Sequence, residues 1–172
     1  PLCALAALFA WLVAGSVQAA PLTAAEVPEA LKPWVPWVLH DVEGAACPYV
    51  HASTDQKRCT WPSRLELSLG DTRGEFVQEW LVLERSWVPL PGDDERWPQE
   101  VTVGEGLAVV QVRDGKPGIE LEPGLHRVQG VFLWDSLPEK VCVPAETGLL
   151  SLKIRGEAVG FPQRDNTGVL WL

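Results

Sequence analysis

From Arg64 onward, apolar and polar side chains alternate with the period of two that belongs to a half-buried strand. Leu65, Leu67 and Leu69 alternate with Glu66 and Ser68, and Leu150, Leu152 and Ile154 alternate with Ser151, Lys153 and Arg155. Val128, Phe132 and Trp134 share one face of the stretch 125–134. Between these runs stand Gly70-Asp71-Thr72-Arg73-Gly74, Pro91-Gly92-Asp93-Asp94, Gly104-Glu105-Gly106, Asp114-Gly115, Pro123-Gly124 and Arg155-Gly156-Glu157. Turn clusters at such spacings mark an all-β domain. Asp114-Gly115 predicts a type I′ hairpin, because Asp-Gly tolerates the positive φ that this turn needs at both central positions. The stretch 75–88 differs in being apolar on both faces, with Phe76, Trp80 and Val82 set against Val77, Leu81 and Leu83. It predicts a central strand covered on both sides or bent by a bulge. Roughly seven or eight strands with no convincing helix among them predict an all-β fold, a β-sandwich of immunoglobulin-like or jelly-roll type. Its expected span is 64–172, and because 168–172 reads as a strand in progress, the sandwich is expected to continue beyond 172.

The beginning of the chain has another pattern. Leu2 to Ala14 is an almost unbroken apolar run, followed by Gly15, Ser16 and Val17-Gln18-Ala19. An apolar run of about 7 to 15 residues that ends in small residues at the −3 and −1 positions reads as a secretory signal peptide, and it is shorter than the ~20 residues of a bilayer span. Residues 1–19 are therefore expected to direct export to a bacterial periplasm or cell envelope. No Lys or Arg precedes the run and the chain contains no Met, so this signal is expected to be truncated at its start. Residues 20–63 read as an irregular arm. Thr23 and Glu26 have the spacing of a capping box with Leu22 and Val27 as its staple, but Pro28, Pro33 and Pro36 limit any helix to short turns over 28–32 and 33–39.

Charge narrows the possible partners. The formal net charge is −9, and none of it falls in the first nineteen residues. An acidic domain lacks the Lys/Arg surface that displaces counterions from phosphates, which argues against nucleic acid or anionic lipid as a partner. Cys3 leaves with the signal peptide, so Cys47, Cys59 and Cys142 remain. In an oxidising compartment Cys47 is expected to pair with Cys59, closing a small polar loop and stabilising the fold by about 3 kcal/mol. Cys142 lies in the apolar stretch 140–144 and reads as a buried, inert thiol. Gly44-Ala45-Ala46-Cys47 has the small residues of a lipoprotein processing box, but the charged residues before it, Asp41 and Glu43, exclude that reading. His40, Cys47, His51 and Cys59 are soft ligands at loop spacing, yet the paired half-motifs of a structural zinc site are missing. The sequence implies no metal and no other cofactor.

Catalytic signatures are equally scarce. There is no phosphate-cradling Gly-rich loop after a strand, no nucleophile elbow, no His-Glu-x-x-His and no EF-hand loop. Asp93, Asp94 and Glu95 read as a solvated turn, and Asp135 with Glu139 is the sort of carboxylate pair that any acidic domain contains. A non-enzymatic protein is expected. Tryptophan is the compositional anomaly, with nine residues against a single Tyr. Trp80 and Trp134 sit on strand faces as core residues, whereas Trp34, Trp37, Trp61, Trp87 and Trp97 adjoin or nearly adjoin prolines in irregular segments. Such indoles either seal the ends of a sandwich or serve as contact sites, docking on another protein or domain or stacking on the rings of a glycan.

The run from Leu31 to His40 with Cys47-Pro48, then Cys59-Thr60-Trp61-Pro62 and Ser86-Trp87-Val88-Pro89-Leu90-Pro91, resembles the N-terminal region of large uncharacterised proteobacterial envelope proteins. The resemblance implies the exported head of a much longer, membrane-anchored protein and supplies no catalytic residues. The expected role is interdomain or protein–protein contact, with later domains of the same polypeptide or another envelope protein as the partner. Carbohydrate binding through exposed tryptophans, or a fragment of an envelope hydrolase, are the alternatives.

Overall fold

The computed structural model describes residues 26–39, 44, 46–51, 53 and 55–172. The expected signal peptide, Thr23 of the capping box and His40 lie outside them. The chain divides into two compact units, 1–43 and 44–172.

In the first unit a 3-10 turn, Glu29–Trp34, runs directly into a short helix α1, Val35–Val38. Pro28 stands at the entry with extended ψ, and Pro36 falls in the first turn of α1, where its missing N–H removes no hydrogen bond. Leu31 N–H donates to Pro28 O at 2.8 Å and Leu39 N–H to Val35 O at 3.0 Å. Neither element contains a buried residue. The two short turns expected from proline spacing are present, with the break at Trp34–Val35 rather than before Pro33.

The second unit is built from β1 (Thr60–Leu69), β2 (Arg73–Val82), β3 (Ser86–Pro89), β4 (Gln99–Val103), β5 (Gly106–Leu107), β6 (Gln111–Arg113), β7 (Lys116–Leu121), β8 (Gly124–Leu133), β9 (Lys140–Cys142), β10 (Leu149–Ile154), β11 (Glu157–Val159), β12 (Gln163–Arg164) and β13 (Val169–Trp171). A seven-stranded sheet has the order β11-β10-β1-β2-β8-β4-β5, and two three-stranded sheets have the orders β12-β13-β9 and β3-β7-β6. The pair β1/β10 is parallel and the neighbouring pairs are antiparallel. The alternation read from the sequence is the burial pattern observed: Leu65, Leu67, Leu69 and Leu152 are buried, and Glu66, Ser68, Ser151 and Lys153 face solvent. Asp114 and Gly115 both adopt positive φ, 52° and 72°, as the type I′ turn between β6 and β7 requires.

One buried cluster draws on all three sheets. Phe76, Trp80, Val128 and Phe132 come from the large sheet, Val88, Ile119 and Leu121 from β3 and β7, and Val141 and Leu170 from β9 and β13. The fold is therefore an all-β sandwich around a shared core. The stretch 75–88 is not one strand: it ends at Val82, turns at 83–85 and resumes as β3 in another sheet, so only β2 is central in the large sheet. The cover of β2 is one-sided: Phe76, Gln78, Trp80 and Val82 are buried while Leu81 is exposed. The bulge lies in the neighbouring strand, where the register of β1 shifts between Pro62 and Leu65. Pro62 has no N–H to give to the ladder, which accounts for the interruption there. β1 begins at Thr60, ahead of the clean alternation, because Thr60, Trp61 and Pro62 already pair with Val82, Leu81 and Trp80.

Candidate functional site

The expected disulfide is present. Cys47 and Cys59 are bonded, and between them Tyr49 pairs with Lys57 in antiparallel fashion. Val50 N–H donates to Gln56 O at 2.8 Å and Arg58 N–H to Pro48 O at 3.0 Å. The loop is thus a crosslinked hairpin, and it delivers Lys57 and Arg58 side by side at the start of β1. The turn after β2 is tied to its base: Leu83 N–H donates to Cys59 O at 2.8 Å, and the Glu84 carboxylate accepts from Gly44 N–H at 3.2 Å. Lys57 Nζ donates to Gly44 O at 3.1 Å.

Two of the candidate tryptophans serve as platforms beside this hairpin. Trp61 is half-buried, its Nε1 donates to Arg58 O at 3.2 Å, and the Arg58 guanidinium stands 5.3 Å from its ring centre. Trp87, on β3, lies against Gly118 of β7, where an added Cβ would clash with the indole. The Arg113 guanidinium stands 5.1 Å from the Trp87 ring centre, a cation–π arrangement that holds the arginine in place. Arg58 and Arg113 with Lys57, Arg85, Glu120 and Glu146 line a polar cavity of about 520 Å³. Inside it Arg58 pairs with Glu146 at 3.1 Å and Arg113 with Glu120 at 3.2 Å, while Arg85 reaches Glu120 at 3.9 Å and, beyond the cavity lining, Glu122 at 3.5 Å.

The remaining candidates fall elsewhere. Trp34 and Trp37 belong to the first unit, are 61% and 74% exposed, and meet edge to face at 6.3 Å with their planes at 84°. Trp97 is half-buried in the segment between β3 and β4. Trp80 is a core residue, and Trp134 stacks on Phe132 at 6.0 Å while its Nε1 donates to Gly70 O at 3.2 Å.

Within the acidic turn at 93–95, Asp93 is satisfied by its own neighbours. Asp93 Oδ1 accepts from Arg96 N–H at 2.8 Å and from Glu95 N–H at 3.1 Å, and its Oδ2 meets the Arg96 guanidinium at 3.0 Å. Cys142 is half-buried; burial pushes its thiol up, and a hydrogen bond with Asp93 adds to the effect. Asp135 lines a second cavity, of about 640 Å³, with Arg96 and Trp134, and Glu139 is not among its lining residues. Cys47, Cys59 and Glu84 bring metal-capable atoms within 4.8 Å of one another, but both sulfurs are committed to the disulfide.

No family model matches the sequence, and no curated protein matches it. Among solved structures, a mutant of the M1 zinc metallopeptidase of Deinococcus radiodurans bound to a Tyr-Ser-Ala substrate has a TM-score of 0.36 at 15% identity, over 49% of this chain and 22% of that one. The non-mutant peptidase of the same organism has a TM-score of 0.34 at 15% identity, over 48% of this chain and 21% of that one. The chain thus spans about a fifth of those peptidases, and a likeness of this degree assigns no activity to it.

Proposed function

We propose that the chain is a non-catalytic β-sandwich module of an exported bacterial envelope protein, and that it works by contact with later domains of its own polypeptide or with another envelope protein. The observation that carries this reading is the apolar surface of the first unit. Leu31, Trp34, Trp37 and Val38 are each more than half exposed, on two consecutive helical elements that bury nothing. Large contiguous apolar side chains left in water mark a surface that gains by being covered. The Cys47–Cys59 disulfide supports an oxidising compartment, and no described helix is long and apolar enough to cross a membrane.

Glycan binding is the second reading, and the ring geometry favours it less. A sugar stacks on a flat, free aromatic face, whereas Trp34 and Trp37 stand perpendicular, and Trp61 and Trp87 carry guanidinium groups. The test is photo-cross-linking in the exported protein from Ala30 and Leu39, which flank the exposed tryptophans, with Glu157 as an exposed control. Protein adducts from the first two positions, lost in the Trp34→Ala/Trp37→Ala variant, are the expected result. Adduct yields no higher than from Glu157 would refute the contact role. A tryptophan fluorescence change with cell-wall glycans that vanishes in the same double variant would transfer the function to sugar binding.

A further inference from the structure

We propose that the cavity between the disulfide hairpin, the turn after β2 and β6 is a docking site for an acidic segment of a partner protein; this rests on the contact reading above and adds a second, chemically distinct surface to it. Its charge is opposite to that of the molecule. In a chain of net charge −9, Lys57, Arg58, Arg85 and Arg113 arrive from separate parts of the sequence to line one cavity in which Glu120 and Glu146 are the carboxylates among the described lining residues.

The cations are also prepared for recognition. Arg58 and Arg113 rest on Trp61 and Trp87, which limits the rotamer freedom that a free arginine loses on binding. Arg85 is 68% exposed, and its contacts with Glu120 and Glu122, at 3.9 and 3.5 Å, are loose. Glu120 lies between Arg85 and Arg113 and shows what the site accepts, since each of its oxygens faces a different guanidinium. An Asp or Glu side chain from outside finds the same pair of donors. Arginine and tryptophan are both among the residues enriched in protein–protein hot spots. An acidic glycan fits less well, because the Arg113 guanidinium already lies over the Trp87 ring, where a sugar ring would stack.

The test is calorimetric titration of hexaglutamate into the disulfide-intact protein at low ionic strength, with an oligogalacturonate of equal charge in parallel. Saturable binding of the peptide is expected, weakened about tenfold or more in Arg58→Ala/Arg85→Ala and again as salt screens the contact. Glu120→Gln removes the internal competitor and is expected to tighten binding several-fold, a gain that a damaged fold does not produce. Trp34→Ala/Trp37→Ala is expected to bind the peptide as the parent does, so failure of the arm and failure of the cavity read out separately. The proposal is overturned by absent binding, by affinity unchanged in the arginine variant, by weaker binding in Glu120→Gln, or by tighter binding of the oligogalacturonate than of the peptide.

Discussion

Trp87 lies close against the backbone of Gly118 because that position has no side chain, and a methyl group there would overlap the indole. Gly118→Ala is therefore expected to cost about 1 to 3 kcal/mol in urea unfolding and to release Arg113 from its platform, since overpacking a fitted contact forces strain into its neighbours. Asp165 makes a different kind of local contribution. Its Oδ1 accepts hydrogen bonds from the Thr167 hydroxyl at 2.7 Å and from the N–H groups of Val169 and Thr167 at 2.9 Å. These bonds, the hydroxyl foremost, hold its carboxyl below the usual carboxylate range. A pKa lowered on folding means that the turn before β13 is supported above the ordinary carboxylate pKa and loses that support as pH falls through the folded value. Amide exchange in residues 165–169 is expected to accelerate on acidification through that window, and Asp165→Ala is expected to abolish the pH dependence. Neither feature was visible in the sequence, where Gly118 and Asp165 look like ordinary turn residues.

Legibility in the sequence varies with how strictly the faces of an element differ. β1 and β10 alternate cleanly, and both place their leucines inward. β2 does not alternate, because Leu81 is apolar and yet exposed, so the sequence pointed to cover on both faces where only one is buried. The hairpin at Asp114-Gly115 was readable because backbone sterics alone decide it. The Cys47–Cys59 crosslink was readable from compartment and cysteine count, although not the hairpin that it closes. Replacing Cys47 and Cys59 together by Ser is expected to lower stability by about 2 to 4 kcal/mol, measured by urea unfolding. It is also expected to weaken peptide binding in the cavity, because Lys57 and Arg58 are presented by this hairpin.

For the whole molecule, the buried cluster lies entirely within 65–170, inside the second compact unit. A fragment spanning 44–172 is expected to fold alone and to unfold in one transition, with tryptophan fluorescence and far-UV circular dichroism coinciding. Separate midpoints would show that the three sheets do not share one core. The cavity is the property that no linear reading found. Lys57, Arg58, Arg85 and Arg113 have no common spacing, and the one sequence signal near them was the unexplained pair Trp61 and Trp87.

The sequence by itself determined the all-β class, the alternating strands β1 and β10, where the tightest turn falls and which cysteines pair, because each of these depends on short-range sterics, alternation or the redox compartment. Only the tertiary structure decided that β1 lies parallel to β10, that β3 leaves the large sheet, and that two arginines rest on two indoles around one polar cavity. Those arrangements depend on which distant segments bury their apolar faces together, and that choice is made by the packing of the core as a whole.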